Sequence, residues 1–387
     1  MRKNSESDRV KFLSNWQDNH KYFDMLRLLA SLSRLFSENT VPYLDYRLAE
    51  NLFCKYFMAV NDARSCTAYD ARLGALGVGI KTFILKNGSD SIEKVAEFNK
   101  LSDTLKDLSG VDLAYKLGEY RNARIQFADD TFGVNSSVYH IVGRMEGNLR
   151  LFNCNYDKIS LGNIRVLKDS KKGFEFSDGL NNYIFNRSKS VLMKRFSVKS
   201  KYKELPVEIM KNPLDFLEQA SHCVQPQILM PKKKGVDYVV LPLYTTRTRT
   251  VPEKSGLNQW NAGGRKRNEN EVYISVPAMI HQKWPKFFPG RDQQFRLQLP
   301  DGKYLYAKIC QDGAKALMSN PNSALGEWIL RKVLKKGVGE LVTMLDLDLV
   351  GIDSVIINKL HKKDPDGVEI FSISFSDDYE SYEDFLM

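Results

Sequence analysis

The chain of 387 residues contains neither long hydrophobic runs nor closely spaced cysteines. No apolar segment approaches the roughly 20 residues that a membrane helix needs, and the first residues carry no apolar stretch of the signal-peptide type. The five cysteines are odd in number and scattered, with no CxxC spacing, so neither a disulfide framework nor a zinc site is expected. These absences favour a soluble, cytoplasmic protein.

Histidine is also scarce, with five residues in the chain. A lysine follows two positions after His281 and His361, but neither pair is followed by the polar residues that a phospholipase D-like nuclease would need. The spacing of histidine and cysteine also excludes a His-Cys-Cys zinc deaminase. Neither route of phosphodiester or base chemistry is therefore indicated.

Positive charge, by contrast, is plentiful. The chain has 57 Lys and Arg against 47 Asp and Glu, a formal net charge of +10, and its hydrophobic share of 43% is that of a globular protein. Between Lys232 and Asp292 there are twelve basic and five acidic residues, whereas Asp377 to Asp384 form an acidic tail. This distribution favours a polyanionic partner such as a nucleic acid.

The hydrophobic pattern predicts an α+β protein, with helices and a short hairpin first and strands later. The predicted helices are Tyr22–Phe36, Tyr43–Phe57, Ser91–Leu108, Asp112–Ala128, Asp215–Gln219, Ala324–Leu334 and Val342–Leu349. The first predicted strands are Thr67–Arg72 and Val78–Leu85, followed by short strands with turns at Met145–Asn148, Asp169–Gly173 and Ser177–Asn181. We place an N-terminal domain at 1–195, a linker at 196–235 and a C-terminal domain at 236–387.

Two polar loops in the C-terminal domain carry side chains that suit a nucleic acid. We define the first arm as Thr246–Asn268 and the second arm as Gln311–Trp328. Arg, Lys, Asn and Gln side chains contact phosphates or base edges. The candidate DNA-binding residues are Arg247, Arg249, Lys254, Asn258, Trp260, Arg265, Lys266, Arg267, Asn268, Gln311, Lys315, Asn320, Asn322 and Ser323.

These arms lie within a longer resemblance. The strings SGLNQW, RKRNENEVYISVPAMIHQKWPKFFPGRDQQFRLQLPDGKYLYAKICQDGAKALMSNPNSALGEW and GIDSV resemble the C-terminal DNA-binding domain of the NgoFVII type of restriction endonuclease, over roughly Val236–Phe375. The resemblance implies a β pseudobarrel of the plant B3 type whose two arms enter the major groove of double-stranded DNA. The NAGG insertion in the first arm departs from the shorter pattern expected there.

The N-terminal domain offers residues for metal-dependent hydrolysis. Asp70 in TAYDAR and Lys81 in GVGIKTF would lie on adjacent strands of a hairpin. A carboxylate holds Mg²⁺, and a lysine positions the attacking water and offsets charge in the transition state. This arrangement of helices, hairpin, helix and further strands is similar to that of PD-(D/E)XK nucleases, over about residues 20–195.

The second metal-binding carboxylate of that pattern is absent, because Gly79 stands where it is expected. We predict that Glu50, on the preceding helix, supplies it, with Glu119 and Glu146 as substitutes. The alternative for Asp70 and Lys81 is an ordinary strand pair with charged ends, and the alternative for Glu50 is a helix-surface residue.

The sequence thus predicts a type II restriction endonuclease with an α/β, PD-(D/E)XK-like nuclease domain and a B3-like recognition domain. The predicted catalytic residues are Asp70, Lys81 and Glu50, and Asp70 and Glu50 would bind Mg²⁺. A homodimer is expected at least during reaction, with a monomer acting twice as the alternative. Two other functions stay open: a DNA-binding regulator without catalysis, and a nuclease that captures a flipped, modified base among Trp260, Trp284 and Trp328.

Overall fold

The computed structural model describes residues 7–62, 68–170, 173–223 and 237–386. The chain divides into two compact units. The described part of the first unit is 7–62, 68–125, 134–170 and 173–223, and that of the second is 237–386 together with 126–133. The structure is mixed α+β, as predicted.

The first unit contains two sheets and several helices. The helices are α1 (Asp8–Asn15), α2 (His20–Ser31), α3 (Tyr46–Phe57), α4 (Ser102–Leu105), α5 (Gly110–Phe132, of which 126–132 are assigned to the second unit) and α6 (Pro213–Cys223). The strands are β1 (Val60–Asn61), β2 (Ala71–Leu73), β3 (Leu76–Ile84), β4 (Asp90–Glu97), β5 (Ser136–Met145), β6 (Asn148–Asn155), β7 (Arg165–Ser170), β8 (Gly173–Ser177), β9 (Asn182–Asn186), β10 (Val191–Ser197) and β11 (Tyr202–Pro206).

The two sheets differ in strand direction. The six-stranded sheet has the order β1-β2-β3-β5-β6-β11, and its β3 and β5 are parallel, with α5 in the connection between them. The five-stranded sheet has the order β4-β10-β9-β8-β7 and is antiparallel throughout. A helical crossover between parallel strands is the usual solution for such a pair.

Helix α3 is fixed against the six-stranded sheet by its cap and its apolar face. The Asp45 carboxylate accepts hydrogen bonds from the backbone N–H groups of Arg47 (2.9 Å) and Leu48 (3.3 Å), which satisfies donors that a helix start leaves unpaired. Phe53 of α3 is fully buried in one cluster with Val78 and Ile80 of β3. The helix is therefore packed against β3, and Glu50 is buried on the same side of it as Phe53.

One predicted helix is wrong. Over Ser91–Leu108 the chain forms strand β4, a 3₁₀ turn at Asn99–Leu101 and the single helical turn α4. Strand β4 pairs with β10 along its length, from Ser197 opposite Asp90 to Val191 opposite Glu97. The ladder outweighs the weak helical period, and the β-branched Ile92 and Val95 suit a strand.

The first unit also extends further than predicted. Strand β11, inside the predicted linker 196–235, pairs with β6 from Tyr202 opposite Phe152 to Pro206 opposite Asn148. Helix α6 follows it, where a short helix was predicted. The linker is therefore shorter at its start than expected, and its remainder, 224–235, lies outside the described residues, as does Thr67 of the first predicted strand.

The second unit is a curled half-barrel of seven strands in the order β12-β17-β18-β14-β15-β16-β13. Its strands are β12 (Tyr238–Pro242), β13 (Ile274–Ser275), β14 (Gln294–Gln298), β15 (Tyr304–Cys310), β16 (Ala316–Asn320), β17 (Ser354–Lys363) and β18 (Glu369–Ser376). Its helices are α7 (Ala278–Lys283), α8 (Ala324–Gly326, continued by a π-helical segment over Glu327–Val333), α9 (Met344–Val350) and α10 (Tyr379–Leu386). The first arm connects β12 to β13, and the second arm begins directly after β15.

Candidate functional site

Lys81 lies on β3, as predicted, whereas Asp70 directly precedes the neighbouring strand β2 and is not part of it. The Asp70 backbone N–H donates to the Val78 carbonyl (3.0 Å), and one Asp70 carboxylate oxygen accepts from the Ile80 N–H (2.6 Å). Loss of solvent raises the pKa of the Asp70 carboxyl, whereas the positive charge of Lys81 and the Ile80 N–H oppose that rise. The acid is therefore anchored next to the lysine at the edge of β3.

Glu50 is a buried residue of α3 with 6% exposure. Burial raises the pKa of its carboxyl to about 7, and the negative charge of Asp70 adds to this, while Arg47 and Lys81 lower it. Among the residues that the structure describes, we find no hydrogen-bond partner for this carboxylate. The structure thus brings Glu50, Asp70 and Lys81 into one electrostatically coupled group, and it excludes the alternative that Glu50 is a surface residue.

Two tyrosines explain why position 79 carries no acid. A Cβ atom added to Gly79 would lie 2.8 Å from ring carbons of both Tyr139 and Tyr156. These two rings stack with 4.0 Å between their centroids, and both side chains are buried. A side chain at position 79 would collide with them, so any second carboxylate near Asp70 has to come from another element.

The other candidate acids are placed differently. Glu119 pairs with Lys116 on α5 (3.1 Å), with 40% of each side chain exposed, and Glu146 lies in the turn between β5 and β6. Glu50 is the predicted substitute that shares its electrostatic environment with Asp70 and Lys81.

A further ion pair near this group was missed by the sequence reasoning. Asp62, 4% exposed, pairs with Arg72, whose Nη2 lies 3.2 Å from Asp62 Oδ1. Burial raises the pKa of the Cys54 thiol to about 11, and the charges of Asp62, Glu50 and Asp70 add to the rise. Glu50 and Cys54 lie one helical turn apart on α3, and this spacing was the one sequence feature that could have indicated that Cys54 lies near the group.

The donor set suits a hard cation. Among the described residues, no group of three or more His, Cys, Asp or Glu side chains converges as a preformed metal cage. Mg²⁺ does not require one, because it is commonly held by one or two carboxylates together with water and substrate phosphates. The two electrostatically coupled carboxylates, Glu50 and Asp70, offer the oxygen donors that such a site needs.

In the second unit, the arms contain cations without partners. Arg247, Lys254, Lys266 and Lys315 are exposed, and no hydrogen bond or ion pair holds their side chains within the described part of the chain. The amides of Asn320 and Asn322 are exposed as well. These six side chains remain free to meet a ligand.

Two predicted DNA contacts are instead structural. Asn258 is fully buried; its amide donates to the carbonyls of Pro252 (3.0 Å) and Val342 (2.9 Å) and accepts from the Val342 N–H (2.9 Å). Arg267 donates to the carbonyls of Ala262 (2.5 Å) and Gly263 (2.7 Å), with 13% of its side chain exposed. Both predictions are therefore wrong, because these hydrogen bonds hold the first arm in place. Asn258 links the arm to Val342, and Arg267 binds the backbone of the inserted NAGG segment.

The remaining predicted DNA contacts are partly occupied by intramolecular bonds or partly buried. Arg249 pairs with Asp348 (3.4 Å) and Glu380 (3.3 Å), and Arg265 with Glu271 (2.5 Å). The Asn268 side chain accepts from the Asn270 N–H (2.9 Å), while Gln311 and Ser323 are partly buried. Arg265 and Asn268 nevertheless remain exposed, so their other donors are accessible.

The tryptophans form no open aromatic pocket. Trp328 is 4% exposed and stacks on Phe375, 5.3 Å between ring centroids, while Trp260 and Trp284 are partly buried against the same hydrophobic core. Trp260 packs against this core with part of its surface accessible, so its DNA contact stays a prediction, whereas the flipped-base alternative finds no aromatic pocket among these three tryptophans.

The strongest concentration of charge was also missed by the sequence reasoning. Residues 158–203 contain twelve Lys or Arg and three Asp or Glu. Most of the five-stranded sheet of the first unit falls in this range, and Arg165, Lys168, Lys189 and Lys199 are exposed there. A simple charge count over windows would have found it.

The half-barrel with two arms is similar to a DNA-binding domain of restriction enzymes. Residues 233–361, about a third of the chain, match the family of the NgoFVII C-terminal B3-like DNA-binding domain. No curated protein matches the chain. DNA is therefore the partner of the second unit, and the family association suggests a restriction endonuclease or a DNA-binding role.

None of the helices in the described ranges combines the length and apolar character that crossing a membrane would require.

Proposed function

We propose that the protein is a type II restriction endonuclease, in which the second unit reads a short duplex sequence and the first hydrolyses the DNA backbone with Mg²⁺. The observation that carries the proposal is the coupling of Glu50, Asp70 and Lys81 in one partly desolvated group. Two observations support it further: helices, a short hairpin, a long helix and further strands follow one another in the first unit, and residues 233–361 match the NgoFVII C-terminal B3-like DNA-binding domain family.

Each residue has a definite role in this proposal. Glu50 and Asp70 would hold Mg²⁺, which supplies Lewis acidity to the phosphate and to a bound water. Lys81 orients the attacking water by hydrogen bonding and offsets the negative charge that grows on the phosphoryl oxygens. Water forms the new P–O bond, the P–O3′ bond breaks, and the 3′ oxygen takes up a proton, leaving 5′-phosphate and 3′-hydroxyl ends.

The basic segment 158–203 fits the same proposal, because a unit that hydrolyses a polyanion gains from positive charge on its surface. Cutting two strands commonly takes two active sites, so a homodimer remains our expectation. The predicted cytoplasmic location also stays a prediction.

Incubation of the purified full-length chain with phage DNA tests the proposal. We expect discrete fragments in the presence of Mg²⁺ and none in EDTA. Absence of cutting under both conditions, with DNA binding retained, would instead favour a non-catalytic DNA-binding regulator. Fragments that persist in EDTA would exclude the metal-dependent chemistry assigned to Glu50 and Asp70.

A further inference from the structure

A cleft of about 410 Å³ lies between the bases of the two arms. Thr245 and Thr246 line it from the start of the first arm, and Lys315 lines it from the second. Glu383 of α10 closes it on another side. The cleft therefore joins three separate segments at the place where both arms leave the half-barrel.

Helix α10 is firmly held there. Tyr379 is 1% exposed and Tyr382 is 8% exposed, both in the core of the second unit, and the Tyr379 N–H donates to Asp353 Oδ1 (3.3 Å). The helix begins beyond residue 361, where the family match ends. An acidic residue in this cleft is thus a feature of this chain outside the matched domain.

The two charged side chains of the cleft, Lys315 and Glu383, have no partners among the described residues, in contrast to Arg249 and Arg267. Within the described part of the chain, no hydrogen bond or ion pair is found for the side chains of Lys315 and Glu383. The ammonium group offers only donors, and the carboxylate only acceptors. The cleft therefore presents both polarities to an incoming ligand.

A G·C base pair has the matching pattern in the major groove. Guanine offers the acceptors O6 and N7, which lysine satisfies, and cytosine offers the N4 amino donor, which a glutamate or aspartate accepts. No other base pair offers two acceptors from one base beside a lone donor from its partner. We propose that Lys315 and Glu383 together read one G·C pair, which makes Glu383 a specificity-determining residue of the DNA-binding unit.

This inference rests on the sequence-reading part of the proposed function and does not depend on cleavage. It is tested by selecting preferred sites from a library of randomised duplexes with the full-length protein in EDTA. Binding of the preferred duplex, and of its single-pair variants, is then compared for the unaltered protein, Glu383→Gln, Lys315→Met and the control Asp384→Asn. Asp384 is exposed on the same helix and does not line the cleft.

We expect one position at which the unaltered protein requires G·C. There, Glu383→Gln and Lys315→Met should each reduce discrimination against the other pairs by roughly 5- to 100-fold. Asp384→Asn should leave discrimination unchanged. Glu383→Gln should also shift the preference at this position, since a glutamine amide can pair with adenine.

Equal gains in affinity for all sequences with Glu383→Gln and Asp384→Asn would overturn the proposal, because helix α10 would then merely repel phosphates. Unchanged discrimination in Glu383→Gln would overturn it as well. Retained G·C reading in a protein that cuts no DNA would leave this inference intact while the nuclease proposal fails.

Discussion

The two units use charge in opposite ways. In the first, Glu50 is 6% exposed and its carboxyl pKa is about 7, held there by burial and by Asp70. In the second, Arg247, Lys254 and Lys266 are exposed and unpaired within the described residues. Desolvation tunes the protonation of a few groups and suits chemistry, whereas exposure leaves cations ready to displace counterions from a duplex.

The cost of the two arrangements differs as well. A buried carboxylate without a partner destabilises the fold, whereas an exposed lysine is nearly neutral. A loss of folding stability caused by the buried Glu50 carboxylate is expected if this residue is kept for function, and it is not expected if Glu50 only fills space in the core. The predictions below test this contrast, from the largest expected effect to the smallest.

The largest expected effect concerns DNA cleavage by the coupled group of Glu50, Asp70 and Lys81. Lys81→Met should lower the DNA cleavage rate by roughly a hundred- to a thousandfold, because the growing phosphoryl charge loses a fixed cation. Asp70→Asn should act at least as strongly. DNA binding in EDTA, measured by gel shift, should not change for either variant. Lys86→Met, an exposed lysine just beyond β3, is the control and should cut normally; comparable losses in all three variants would contradict the assignment.

In the second unit, the next largest effect should be a loss of folding stability at Asn258, which is fully buried. Asn258→Ala should lower the free energy of unfolding by about 3 kcal/mol, because it leaves the carbonyls of Pro252 and Val342 and the Val342 N–H unsatisfied. Denaturant unfolding measures the change. Asn268→Ala, on the exposed end of the same arm, should change stability by less than about 0.5 kcal/mol. Weakened DNA binding with full stability in Asn258→Ala would reverse our assignment.

The cost of the buried Glu50 carboxylate should appear as a pH-dependent gain on its removal. Folded Glu50 has a pKa near 7, above the unfolded value near 4.5, so both states are mostly protonated at pH 4, and the folded state loses stability as pH rises from about 4.5 to 7. At pH 8, Glu50→Gln should therefore stabilise the chain by about 2 kcal/mol, with no gain at pH 4. Calorimetric unfolding at both pH values checks it.

Gln is the appropriate replacement because it keeps the shape of the side chain and removes its charge. Glu119→Gln provides the control, since that carboxylate is 40% exposed and should give no pH-dependent gain. A stability gain at Glu50 that is equal at pH 4 and pH 8 would mean that packing, and not ionisation, is responsible.

Helices and strands were predicted correctly from the sequence where a single local pattern, such as an apolar stripe, determines the structure. The apolar stripe of Tyr43–Phe57 gave α3, and the resemblance predicted the half-barrel that the family match supports. The helix predicted over Ser91–Leu108 was wrong because pairing with β10, about a hundred residues away, decides the structure of this segment. Local periodicity carries no information about that ladder.

Residue roles followed the same division. Asp70 and Lys81 came from the chemistry that hydrolysis requires, and the structure places them together. Asn258 and Arg267 came from residue type alone, and whether an amide or a guanidinium is exposed depends on which carbonyls the folded loop offers it. The tyrosine pair that excludes a side chain at Gly79 is likewise a tertiary effect that a one-dimensional pattern does not contain.

The smallest expected effect concerns single phosphate contacts. Lys266→Ala and Arg247→Ala should each weaken DNA binding only several-fold, and nearly equally for all sequences, since a phosphate contact carries no base information. Each lost contact should reduce the slope of log K against log salt by about 0.9. Lys303→Ala, in the turn between β14 and β15, serves as the control, since Lys303 already pairs with Asp301 (3.1 Å). Salt slopes that are identical in all three variants would show that exposure alone does not identify the phosphate-binding cations, and the contrast between the two units would then rest on the coupled carboxylates alone.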